Sequence, residues 1–227
     1  MRINIRISSR LLVATSSLLV ALVAGLGIGV AGGNEPFDDA LTATYFHGIT
    51  EEIAREKVGA ERVPELLALL GDPDFPRRDN LVGFLAFLGG PEATRGLIEL
   101  IETPPADPAD PNEDRALLLA PQALGKIASR GHDAALSYLL RMTGEAAPAG
   151  RWKPGLIESA VFGLSWAGGD AARDRLSDLA LERVTPPGAP EGIARAALQA
   201  LDRLEAAGGT PDAVPSAPSP PRGDESV

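Results

Sequence analysis

Residues Phe75 to Glu102 read FPRRDNLVGFLAFLGGPEATRGLIELIE. Counted from Gly89, apolar residues stand at Val82 and Leu85 on one side and at Ala93, Leu97 and Leu100 on the other. Intervals of three and four put them on one stripe of each of two amphipathic helices. Gly89 and Gly90 supply the stop between the helices, because glycine reaches the left-handed backbone that a helix C-terminus favours. Pro91 suits the first turn of the second helix, where no amide donor is needed.

The same offsets recur along the chain. Around Gly131 they give Leu124, Ile127, Ala135, Leu139 and Met142, and around Gly168 they give Val161, Leu164, Ala172, Leu176 and Leu179. Around Gly208 only the first half is present, as Leu201 and Leu204; around Gly59 only the second half, as Val63, Leu67 and Leu70. The reference glycines lie 30, 42, 37 and 40 residues apart. Periods of this size with one helix pair each predict an α-solenoid, since a single pair cannot bury its own apolar faces and neighbours must stack. An irregular helical bundle rich in leucine and alanine has no reason to keep alanine four residues after the glycine and leucine eight after it. The expected fold is all-α: an α-α solenoid of about four to five helix pairs.

Composition supports helices. Aromatic residues make up 4% of the 227, and alanine and leucine supply the core, which favours helix over sheet. The absence of cysteine excludes disulfides, thiolate metal sites, a cysteine nucleophile and a lipid-modified N-terminal cysteine. The formal charge is −10. Arg2, Arg6 and Arg10 are the only charges before Glu35, so loss of residues 1–33 leaves 18 basic against 31 acidic side chains, a net −13. Such a chain avoids phosphate backbones and anionic lipid surfaces, and nucleic acid is not an expected partner.

The N-terminus has a basic start, an apolar run from Leu11 to Ala31 broken only by Thr15, Ser16 and Ser17, and small residues to Gly33. That is the pattern of a secretory signal peptide, with cleavage after Ala31 or Gly33. The competing reading is an uncleaved anchor, because a segment of 21 residues can span a bilayer. Cleavage is favoured. Either way the folded part is expected outside the cytoplasm, periplasmic or secreted in the first case and membrane-tethered in the second. The membrane is a partner only through this segment if it is uncleaved.

The predicted organisation is then residues 1–33 signal or anchor, 34–49 irregular lead-in, 50–208 helical repeat domain, and 209–227 disordered tail. Thr50 is a suitable N-cap for a first helix with Glu51 and Glu52 in its opening turn. Pro64 fits a helix over Ala60–Leu70 only in its first turn. Gly71 to Asp74 is a turn, and Thr103 to Asp114 (TPPADPADPNED) is an acidic, proline-rich connection expected to be exposed and mobile. The third pair is expected from near Arg115, with a break or kink near Ala120 caused by Pro121. Gly144 to Pro154 is a second long loop, a fourth pair runs from about Gly155 to Val184, and a last helix spans about Glu191 to Ala207. The tail from Gly208 has too little apolar surface to offset its ordering entropy.

Three segments carry a family resemblance. Val63 to Asp74 (VPELLALLGDPD), Ala194 to Leu201 (ARAALQAL) and Leu88 to Ala93 (LGGPEA) resemble HEAT repeats, particularly the short bacterial kind. The resemblance covers about Gly59 to Gly208. It implies a binding scaffold in which the second helix of each pair lines a concave side, and the family includes bilin lyases and their helpers. The long inter-repeat loops here depart from the short family period.

Candidate sites are few. His132 lies in an interhelical turn beside Asp133, which has the form of an N-cap, and no second histidine shares its helix. His47 follows Tyr45 and Phe46, a trio placed to plug the end of the array. No Gly-x-Ser-x-Gly occurs: Gly163-Leu164-Ser165-Trp166-Ala167 ends in alanine and sits on a helix. Phosphate-binding glycine loops are absent, and no cofactor or metal is expected. Asp107, Asp110 and Asp114 offer oxygen ligands, but their proline-rich setting does not match a calcium loop, and a solvated connector is favoured. On the concave side implied by the resemblance stand Arg95, Glu99, Tyr138, Arg141, Arg173 and Asp174. Trp152, between Arg151 and Lys153, reads either as an exposed aromatic anchor at a partner surface or as a loop tryptophan packed on a helix end.

The expected function is an exported scaffold that binds a protein or peptide without catalysis. The alternatives are an enzyme or lyase-like accessory protein with a carboxylate-lined concave groove, and a membrane-tethered spacer.

Overall fold

The apolar positions counted from Gly89, Gly131 and Gly168 form the centre of the molecule. In the computed structural model, which describes residues 35–103 and 111–208, every one of them is 0% exposed except Leu100, at 9%. The helical spacing therefore marks the buried stripe of six successive helices.

Those helices belong to a set of ten among the described residues: α1 (Glu35–Thr42), α2 (Glu51–Lys57), α3 (Val63–Leu70), α4 (Arg78–Leu88), α5 (Pro91–Glu102), α6 (Pro111–Ala128), α7 (Asp133–Met142), α8 (Pro154–Ala167), α9 (Gly169–Ala180) and α10 (Ile193–Gly208). A 3-10 turn over Ala60–Arg62 precedes α3. The described part is all-α. Its packing has two rows: α2, α4, α6, α8 and α10 each lie against the next, as do α3, α5, α7 and α9. Between the rows, α3 lies on α4, α5 on α6, α7 on both α6 and α8, and α9 on both α8 and α10. The chain divides into Met1–Glu35 and Pro36–Val227, and this architecture is that of the second unit.

The expected lead-in is partly helical. Phe37, Ala40 and Leu41 of α1 enter the core, and α1 is tied down from α4: the Asn80 amide donates to the Leu41 and Ala43 carbonyls at 2.7 and 2.9 Å. Arg77 holds the Asp79 carboxylate through two bonds, at 2.9 and 3.1 Å, and also reaches the Ala43 carbonyl at 3.3 Å. Of the trio expected to plug the end, only Tyr45 does so, edge-on to Phe84 at 5.9 Å; Phe46 is 91% exposed and His47 is also exposed. Thr50 caps α2 as expected, its hydroxyl accepting from the Ile53 amide at 3.2 Å.

Other expectations are corrected. In α3 the buried positions are Val63, Leu66 and Leu70, and Leu67 is only half-buried. Helix α6 begins at Pro111 rather than near Arg115 and runs through Pro121 without ending. Support comes from α8, which lies so close that a Cβ on Gly163 would stand 2.5 Å from the Pro121 carbonyl oxygen. The Ser159 hydroxyl of α8 donates to the Leu118 carbonyl at 2.5 Å. Gly89 is not left-handed: its φ is −76°, and what demands glycine there is space, since a Cβ would lie 2.3 Å from that of Ala93. Gly131 and Gly168 do have positive φ, +87° and +69°, which favours glycine. His132, not Asp133, is the N-cap of α7, with no side-chain bond to the helix.

The predicted signal segment, residues 104–110 of the acidic connection with Asp107 and Asp110, and the tail 209–227 lie outside the described residues. Asp114 lies in the first turn of α6. Among the described residues, no helix is long and apolar enough to cross a membrane.

Candidate functional site

Glu102, the last residue of α5, is where three elements meet. Its Oε1 accepts from the Tyr138 hydroxyl at 2.8 Å and from Arg141 Nη2 at 3.2 Å. Its Oε2 accepts from Arg151 Nε at 2.7 Å and also from Arg151 Nη2. Tyr138 and Arg141 are three apart on α7 and so share a face, while Arg151 comes from the loop before α8. The Arg141 guanidinium lies 4.7 Å over the Tyr138 ring, and Trp152 meets that ring edge-on at 6.2 Å.

A carboxylate at a helix C-terminus faces the negative end of the macrodipole, so this arrangement depends on its cations. Burial pushes the Glu102 carboxyl up, but the Tyr138 and Arg151 hydrogen bonds and the charges of Arg151 and Arg141 outweigh it and hold it below the usual range. Burial first, and then Glu102, push the Tyr138 phenol far above its ordinary value. A fully engaged carboxylate and a phenol that stays protonated are poor proton-transfer groups near neutral pH. Two guanidinium groups on one carboxylate leave a surplus positive charge. The Arg141 and Arg151 side chains, 55% and 50% exposed, can each turn toward an incoming acid.

Beside this cluster, a groove of about 800 Å³ runs between α3 and α5. Leu67, Leu70 and Gly96 form its apolar wall, and Arg95 and Glu99 stand on its α5 side. Deeper in, Arg78 pairs with Glu113 at 3.0 Å and donates to the Leu70 carbonyl at 2.7 Å. This buried charge is engaged on two sides, as a desolvated cation requires.

Of the residues singled out from the sequence, Tyr138, Arg141 and Trp152 come together, and Arg95 and Glu99 line the adjoining groove. Arg173 and Asp174 are exposed on α9 and join neither group. Arg175 of α9 does reach α7, donating to the Leu140 carbonyl at 2.8 Å. Trp152 is not an exposed anchor. It is 5% exposed, packed on Tyr138, and its indole N–H has no acceptor among the described residues.

The hub itself was missed. In the sequence Glu102 stands three residues after Glu99, the spacing of two carboxylates on one solvated helix face, and Arg151 stands out only as a neighbour of Trp152. Charge alternation offered no clue, because the partners of Glu102 lie 36 to 49 residues away. Comparison with protein-family models, curated proteins and solved structures found no match to this chain.

Proposed function

We propose that this protein is an exported HEAT-like scaffold, a right-handed α-α superhelix that binds a protein or peptide partner without catalysis. The two-row packing, in which each helix meets its nearest neighbours, supports the superhelix. The observation that carries the function is the convergence of half-exposed Arg141 and Arg151 on the single carboxylate of Glu102, next to an open groove. Such a surface takes an acidic group of a partner at the arginines and its apolar side chains in the groove.

The catalytic alternative draws on Glu92, Glu99 and Glu113, which border the groove. Glu113 is engaged by Arg78, and Glu92 and Glu99 are exposed on α5, an arrangement that favours binding over proton transfer.

The test is crosslinking of the purified chain in envelope extract, followed by mass spectrometry of the captured partner. R141E together with R151E is expected to abolish that capture, and R173E to leave it unchanged. Capture that survives R95E, R141E and R151E combined would overturn the reading. Mass spectrometry of the mature N-terminus separates the cleaved from the tethered form.

A further inference from the structure

The row α4, α6, α8 and α10 carries a line of alternating aromatic and cationic side chains on its outer side. The Lys126 ammonium of α6 sits between two rings, 4.4 Å from the centroid of Phe87 on α4 and 3.9 Å from that of Trp166 on α8. Beyond Trp166 lies Arg203 of α10, 5.0 Å from that ring and 6.0 Å from Phe162. One turn after Lys126, Arg130 donates to the Ala86 and Gly89 carbonyls at the end of α4, at 2.8 and 2.7 Å.

Among the described residues, none of Lys126, Arg130 and Arg203 is within ion-pair distance of a carboxylate. Burial holds the Lys126 ammonium below its usual value, with Arg130 and Arg203 adding to the effect and Glu51 opposing it. Glu51 is itself engaged by Arg55 at 2.5 Å. Arg130 has a structural task as a helix cap. Lys126 and Arg203 rest on rings and donate to no protein acceptor among the described residues.

Lys126 and Arg203 therefore form a local positive patch, lined by aromatic rings, on a chain of net −10. We propose that Phe87, Lys126, Phe162, Trp166 and Arg203 form a second binding surface, on the row opposite the Glu102 cluster, for a short acidic peptide segment with an apolar residue beside its carboxylates. Lys126 and Arg203 stand 3.9 and 5.0 Å from one ring centroid and are therefore at most 8.9 Å apart, so two carboxylates of one segment reach both. Trp166, 38% exposed, receives the apolar side chain. A short segment senses only charges within about 8 Å, the screening length at physiological salt. A lipid surface or a nucleic acid extends past that range and meets the acidic remainder of the chain.

The experiment uses the full chain and a fluorescein-labelled glutamate–leucine peptide, read by fluorescence anisotropy. A W152F background leaves Trp166 as the single tryptophan, whose emission reports the same event. Binding is expected to weaken about tenfold or more, about 1.4 kcal/mol, in K126Q combined with R203Q, and to weaken likewise with rising salt. K126R is expected to keep binding and W166L to lose it, which holds the test open if the double variant is unfolded. The Arg141 and Arg151 surface also takes an acidic segment, so all of these variants are compared in an R141Q/R151Q background, and failure of that surface and of this one are read separately. Peptide binding unchanged in K126Q/R203Q would overturn the proposal. So would an equal response to a glutamine–leucine peptide, or a Trp166 response to phosphatidylglycerol vesicles or orthophosphate with none to the peptide.

Discussion

Gly125 and Gly163 meet main chain to main chain where α6 crosses α8: a Cβ built on Gly125 would stand 2.0 Å from the Gly163 carbonyl oxygen. No side chain can yield at that contact, because the obstacle is backbone. The crossing lets α8 lie along Pro121, and it is the most extensive helix pairing in the fold.

Alanine normally stabilises a helix interior over glycine by about 1 kcal/mol. Here the sign is expected to reverse. G125A and G163A should each destabilise by about 1–3 kcal/mol, the usual cost of overpacking. Urea unfolding measures this, and a raised midpoint for G125A would show that the helices are not in backbone contact.

Gly131 and Gly89 need glycine for different reasons, and substitution by asparagine separates them. At Gly131, with φ +87° and nothing near its Cβ position, alanine should cost about 1–2 kcal/mol and asparagine less. At Gly89 the obstacle is Ala93 and the Leu85 carbonyl, so asparagine should be at least as damaging as alanine. The order of the four denaturation midpoints decides the matter.

Trp152 buries an indole N–H that has no acceptor among the described residues. W152F removes that unsatisfied donor while keeping a ring against Tyr138, and should change stability by less than about 1.5 kcal/mol. W152A should cost about 3–5 kcal/mol. A W152F loss as large as that of W152A would mean that the N–H has a partner.

Acid is expected to weaken the fold through Asp79 and Glu102. Burial raises the Asp79 carboxyl, but the paired bonds and charge of Arg77, the Asn80 amide and Arg115 prevail and hold it below its usual value. Glu102 is lowered in the same sense. A carboxyl lowered in the folded state contributes stability above its unfolded pKa, about 3.9 for Asp and 4.3 for Glu, and loses it as pH falls through the folded value. Melting temperature should therefore be flat from pH 7 to about 5 and fall below about 4. D79N should be less stable at pH 7 and show a shallower acid limb. An acid limb unchanged in D79N would remove Asp79 from this account.

Much of the helical core was legible in the amino-acid order. The positions at fixed offsets from Gly89, Gly131 and Gly168 are buried because helical periodicity and side-chain hydrophobicity are local properties. The helix bounds from α4 to α10 followed within a few residues for the same reason. The reading failed where a neighbour overrode local preference. A break or kink was expected at Pro121; α6 does not end there but continues through it, packed against α8. The 34–49 segment lacked a pattern, yet α1 forms because Arg77 and Asn80 hold its end.

The candidate site was less legible. Tyr138, Arg141 and Trp152 could be named from helix position and residue type, but Glu102 could not, and Arg173 and Asp174 stand exposed on α9 apart from the cluster. Residue order carries the apolar stripes and the surplus of acid, because each is written in consecutive side chains. It does not carry which carboxylate meets Arg151 from 49 residues away, or that Lys126 comes between rings from two other helices. Those pairings arise only when separate helices are set against one another, since the forces joining the groups act over a few ångströms of space and not along the chain.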